Sequence, residues 1–185
     1  MQTTIEETAA SSYNNGNLQL TVITPGLNKS KSRNYPASVL KRDHGVFTGA
    51  KMFADHQTEA ERKARSEGSV NNWVGSITKV WAESDGAIKA TAKVIDEAFK
   101  KKLENLKNAG LLKEMGISIR AVGEGTGSSP VVIESISACH SVDFVTYAGA
   151  GGAVEVMESM TVGDDHFQPD YTKMVAEIDW KNFTF

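Results

Sequence analysis

Between Pro130 and Tyr147 the chain runs for eighteen residues, PVVIESISACHSVDFVTY, with β-branched and aromatic side chains throughout and no glycine. Such a run reads as β-structure. A lone strand or hairpin is barely stable in water, so this stretch commits the chain to a larger sheet. Other segments can supply the neighbours. Asn17–Thr24 alternates Leu18, Leu20 and Val22 with Gln19 and Thr21, the period of a half-buried strand, and Pro25-Gly26 ends it in a turn. Val46–Ala54 holds a strand that delivers Asp55-His56 to its end. Trp73–Trp81 and Ala87–Val94 read as two strands joined by the turn Glu83-Ser84-Asp85-Gly86. Met115–Val122 and Ala153–Met157 complete the set, with Asn28–Tyr35 a basic loop and Gly123–Ser129 a flexible connection.

Helical periodicity is clear in one place. Asp96 is a suitable N-cap, Phe99, Leu103 and Leu106 recur at i, i+4 and i+7, and Gly110 supplies the stop. A shorter helix can start at Pro36 and run through Val39 and Leu40, and Gln57–Ser69 reads as an exposed loop or short surface helix. Many strands and one strong helix predict an α+β domain on an antiparallel sheet or closed barrel.

Composition narrows the function. At 185 residues, 40% hydrophobic and 23% charged, the chain has the makings of one globular domain. A net charge of −3 gives no basic excess for nucleic acid, and no apolar run approaches the roughly 20 residues of a spanning helix. The first residues are polar and acidic, without the pattern of a secretory signal, and the single Cys139 cannot form an internal disulfide. Residues 1–16 read as a flexible leader. Seven acids against two lysines in 155–185 make 158–185 an acidic extension to a domain spanning 17–157.

Metal and phosphate chemistry find little support. The four histidines show no HExxH spacing, Cys139-His140 stands alone, and Gly123, Gly125 and Gly127 precede a strand where a dinucleotide site needs a helix. Cys139 and His140 cannot act together, because neighbours on a strand face opposite ways. Three polar residues in apolar surroundings remain: Ser118 between Ile117 and Ile119, Asp143 between Val142 and Phe144, and His56 beyond an apolar stretch. Each alone reads as a structural residue. Together they are the hydroxyl, imidazole and orienting group of an acyl-transfer site, and the glycine cluster after Asp143 could offer amides to an oxyanion.

In order along 17–157, LTVITPGLNKSKSRNYPASVL, GAKMFADHQT, SVNNWVGSI, MGISIRAVGEG and SVDFVTYAGAGGAV resemble the tailed-bacteriophage prohead proteases, capsid maturation enzymes grouped with herpesvirus assemblin-type serine proteases. The resemblance implies a compact, mostly antiparallel β-barrel surrounded by a few helices. It implies that Ser118 is the nucleophile and His56 the general base of a serine endopeptidase. The third member lies between Asp143 and His140: herpesvirus relatives use a second histidine, phage members commonly an acid. Asp143 is favoured, since a buried carboxylate needs a partner. Ala148 and Gly149 stand where the relatives place an oxyanion loop, without their arginines.

The resemblance further implies no cofactor and no metal. Scaffold protein, major capsid protein and the protease itself become substrates, inside the immature prohead in the host cytoplasm, with neither nucleic acid nor membrane as partner and a homo-oligomer left open. The competing reading is a catalytically inactive scaffold or capsid-binding component with the same fold. An esterase is disfavoured, because Ser118 lies in GISIR and no GxSxG elbow occurs.

Overall fold

The fold begins with β1 (Asn17–Ile23), whose Leu18, Leu20 and Val22 are buried. It is a computed structural model and describes residues 17–157; the expected leader 1–16 and extension 158–185 lie outside the described residues. The remaining strands are β2 (Gly26–Leu27), β3 (Arg33–Tyr35), β4 (Lys51–Phe53), β5 (Trp73–Ala82), β6 (Ile88–Val94), β7 (Gly116–Thr126), β8 (Val131–Val145) and β9 (Gly152–Met157). Three α-helices among the described residues, α1 (Ala37–Asp43), α2 (Glu59–Ala64) and α3 (Glu97–Asn108), join them. No helix among the described residues is long and apolar enough to cross a membrane.

The nine strands among the described residues form one sheet, ordered β2-β3-β8-β7-β9-β1-β6-β5-β4, antiparallel except where β3 runs parallel to β8. The expected barrel is not closed by hydrogen bonds among the described residues. β4, at one end of the ladder, lies alongside β8 without pairing to it. The sheet therefore curls until its last strand meets β8 across a seam held by side chains.

Apolar side chains of β1, β5, β6, β7 and β8 fill the inside of the curl, and α3 adds Phe99 and Leu103. Asp96 caps α3 as expected, its carboxylate accepting from the Phe99 amide at 2.6 Å. The Phe99 and Phe144 rings meet with centroids 4.7 Å apart. Phe144 thus points into the core, and Asp143, its neighbour along the strand, must point to the other face.

Two segments differ from expectation. Arg33–Tyr35 lies in the stretch read as a loop, yet it pairs with the start of β8. β7 runs on through Gly123 and Gly125, where the sequence suggested a flexible connection. These glycines are needed because β8 crowds them. A Cβ on Gly123 would collide with the Ser135 carbonyl oxygen, and one on Gly125 would lie 2.7 Å from that of Val132.

The crowding comes from three irregularities on β8. Along the β7–β8 ladder the register slips at Glu134, at Ser137 and at His140, each an extra residue with no partner opposite. A regular ladder continued from the Thr126–Val132 pair would set His140 opposite Ser118. The three bulges move β8 on by three residues, and Asp143 stands there instead. Arg42 and Asp43, at the end of α1, brace the bulged part. Arg42 Nη2 donates to the Glu134 carbonyl at 2.6 Å, and Asp43 Oδ2 accepts from the Ile136 amide at 2.8 Å.

Candidate active site

Ser118 and Asp143 are direct cross-strand partners, so their side chains rise from the same face of the sheet about 5 Å apart at Cβ. His56 reaches them from across the seam. It sits three residues beyond the end of β4, on a stretch pinned behind by the Ala54 amide donating to the Asn72 carbonyl at 3.0 Å. Ahead of it Thr58 and Glu61 form a capping box that starts α2. Those hydrogen bonds, the Thr58 amide's first, hold the Glu61 carboxyl below the usual carboxylate range.

The imidazole lies between the two side chains. Its Nδ1 is 2.5 Å from Asp143 Oδ2 and its Nε2 is 3.0 Å from Ser118 Oγ. An ionised carboxylate only accepts hydrogen bonds, so the ring proton sits on Nδ1. The Nε2 lone pair then faces the serine hydroxyl. Asp143 is 2% exposed, whereas the His56 side chain is 40% exposed. The carboxylate is thus deep in the seam and the imidazole at its mouth.

Asp143 Oδ2 also accepts from Ser141 Oγ at 2.9 Å, and Oδ1 is buried with no partner among the described residues. Ser141 is two residues back on the same strand and so shares the face. Both donors converge on one carboxylate oxygen and fix its direction toward His56.

His140 takes no part in this arrangement. It is the extra residue of a bulge, exposed to solvent. Cys139 is half-buried, and its Sγ lies 3.3 Å from the Ser141 carbonyl oxygen. Burial pushes its thiol up to about 12, with the nearby Asp143 charge adding to the shift. At neutral pH it is a thiol and a poor nucleophile.

The chain after β8 crosses β7 on the face that carries Ser118. A Cβ added to Gly116, two residues before Ser118 and on its face, would lie 2.9 Å from the Ala148 amide nitrogen. The loop is anchored by its carbonyls. Gly149 O accepts from the Lys29 amide at 2.7 Å, and Ala150 O accepts from the Thr24 amide at 3.1 Å and from its hydroxyl at 3.3 Å. In a trans peptide the next N–H points the opposite way, so the Ala150 and Gly151 amides turn away from Thr24 and Lys29. None of the amides of residues 148–151 has an acceptor among the described residues.

A cleft of about 450 Å³ adjoins the imidazole, walled by Phe53, His56, Gln57, Arg65 and Asn72. Among the described residues no group of three or more metal-ligating side chains converges anywhere.

With this geometry in place, comparison with known proteins gives one informative result. No family model matches the chain, and no curated protein matches it. Among solved structures it is similar to the bacteriophage T4 capsid assembly protease, gp21, with a TM-score of 0.51 and 15% identity over 70% of this chain and 81% of that one. The fold is similar to that of a phage capsid assembly protease. This agrees with the mixed α+β, mostly antiparallel architecture, and at 15% identity it bears on the fold alone.

The sequence brought Ser118, His56 and Asp143 forward as a set, and the structure places them within hydrogen-bonding reach of one another. It did not single out Ser141, Gln57 or Arg120. Arg120 was legible in GISIR only as the next same-face residue after Ser118, and nothing marked its distant partners.

Proposed function

We propose that this chain is a serine endopeptidase that cleaves proteins of the immature phage capsid. The observation that carries the reading is the unbroken series Ser118 Oγ, His56 Nε2, His56 Nδ1, Asp143 Oδ2, on a fold similar to a capsid assembly protease.

The chemistry follows from that series. Ser118 Oγ attacks the scissile carbonyl carbon while His56 Nε2 takes its proton. The tetrahedral oxyanion is stabilised by amides of the loop after β8, whose carbonyls are already engaged on Thr24 and Lys29. Ala148, whose amide nitrogen lies beside Gly116, and Gly149 are the first of these donors, and Ala150 and Gly151 add two more with no acceptor among the described residues. The imidazolium then gives its proton to the leaving amine, and an acyl-enzyme remains on Ser118. Water, deprotonated by the same imidazole, releases the acid and restores the hydroxyl. Asp143 holds the Nδ1 proton and stabilises the cation throughout. The reaction needs neither metal nor cofactor.

The substrates in this reading are the scaffold protein and the major capsid protein, inside the prohead in the host cytoplasm. The segments 1–16 and 159–185 are the sites of self-cleavage in this reading. The test is to express the wild type beside Ser118→Ala and compare intact masses. Self-trimming in the first and none in the second supports the protease. Identical masses, with no labelling by a serine-directed phosphonate, would leave the fold as an inactive scaffold or capsid-binding component.

A further inference from the structure

The imidazole is supplied by a segment with little support of its own. Between β4 and α2 the chain runs through residues 54–58 outside any strand ladder, and α2 itself buries no residue. Apart from His56 itself, a second side chain ties this segment to the strand of the nucleophile. Arg120 lies two residues after Ser118 on β7 and shares its face. Its guanidinium donates through Nη1 to Gln57 Oε1 at 2.5 Å and through Nη2 to the Ser66 carbonyl at 2.6 Å. Gln57, next to His56, in turn donates from Nε2 to the Arg65 carbonyl at 2.8 Å. The planar fork of an arginine can hold two such acceptors in fixed directions, which a lysine cannot.

We infer that Arg120 is a positioning residue. It fastens both ends of the 57–66 segment to β7, so that the base and the nucleophile are held by one rigid element. This rests on the proposed serine mechanism, in which the distance from Nε2 to Ser118 Oγ governs the rate. Arg120 does not touch that pair. It acts through Gln57 and the chain that carries His56. Misplacement of a catalytic group by an ångström lowers rates by up to about a hundredfold.

The experiment measures the rate of Ser118 labelling by a small fluorophosphonate, together with hydrogen exchange over 57–66, in wild type, Arg120→Ala, Arg120→Lys, Gln57→Met and the double variant Arg120→Ala/Gln57→Met. Arg120→Ala should label about ten- to a hundredfold more slowly. Added guanidinium at millimolar concentration should restore part of that rate, and Arg120→Lys should fall between. The double variant should lose less than the product of the two single losses, because both changes break the Arg120–Gln57 hydrogen bond. Exchange over 57–66 should rise in each variant. Wild-type labelling in Arg120→Ala, or losses that multiply in the double variant, would overturn the inference. Should Arg120→Ala fail to fold, Arg120→Lys and Gln57→Met carry the same comparison. A wild type that does not label would refute the serine mechanism, while unchanged exchange over 57–66 in the variants would separately refute the strap.

Discussion

Replacing Asp143 by asparagine keeps the shape of the side chain and removes its charge. The amide oxygen can still accept from His56 Nδ1 and Ser141 Oγ, and the amide nitrogen takes the place of Oδ1, which has no partner among the described residues to lose. The ground state should change little. In the proposed mechanism the transition state should suffer, because there His56 becomes a cation as Ser118 is deprotonated. A charge-assisted hydrogen bond contributes about 1.5–3 kcal/mol against about 0.5–1.5 for a neutral one. The direct attraction between unit charges about 4 Å apart is about 4 kcal/mol near a protein surface, the regime suited to a half-exposed ring. A loss of about 2–4 kcal/mol corresponds to roughly 30- to 1,000-fold in rate, more where the amide turns its NH₂ to the ring and imposes the wrong tautomer. Removing a buried charge offsets part of the cost, about 1–3 kcal/mol, of an unpaired NH₂ in the place of Oδ1, so the variant should stay folded. The assay is phosphonate labelling of Ser118 beside thermal unfolding. Full-rate labelling in Asp143→Asn, with a slow His140→Gln, would refute this reasoning and pass the third role to His140.

Cys139, its thiol pushed up to about 12, should resist iodoacetamide at about pH 8 until the chain is unfolded, and rapid alkylation of the native protein would contradict its burial. Asp43→Asn should cost about 1 kcal/mol by weakening the brace on the β8 bulges. The Arg42 hydrogen bond, ahead of the Ile136 amide, holds the Asp43 carboxyl below the usual range. Its contribution is therefore complete above about pH 4, where the unfolded carboxyl is also ionised, and is lost as pH falls through the lower folded value. Urea unfolding of wild type and variant should converge as the solution is acidified, and a gap that widens would reverse the sign.

Much of the fold was legible because its strands are bounded by strong turn chemistry. Pro25-Gly26, Glu83–Gly86 and Gly110 each end an element where the sequence places the end. Arg33–Tyr35 was hidden because three residues carry no periodicity and their pairing partner is nearly a hundred positions away. Gly123 and Gly125 misled for a different reason. Glycine is depleted in strands, but here backbone crowding beside the β8 bulges excludes any Cβ.

The site shows the same division. Polar residues set among apolar ones marked Ser118 and Asp143, since burial without a partner is costly. Which of Asp143 and His140 faces Ser118 depends on bulges at Glu134, Ser137 and His140, and local sequence does not announce a bulge. Arg120 and Gln57 meet only because the sheet curls until β4 lies along β8, a tertiary fact that no window of sequence contains.

In the proposed mechanism Ser118 is a hydroxyl made nucleophilic by His56. The most direct measurement treats the full chain with a fluorophosphonate and maps the adduct by tandem mass spectrometry, in wild type and in His56→Ala. A single adduct on Ser118 is expected in the wild type and none in the variant over the same time. An adduct on another residue, or equal labelling of Ser118 without the imidazole, would contradict that mechanism.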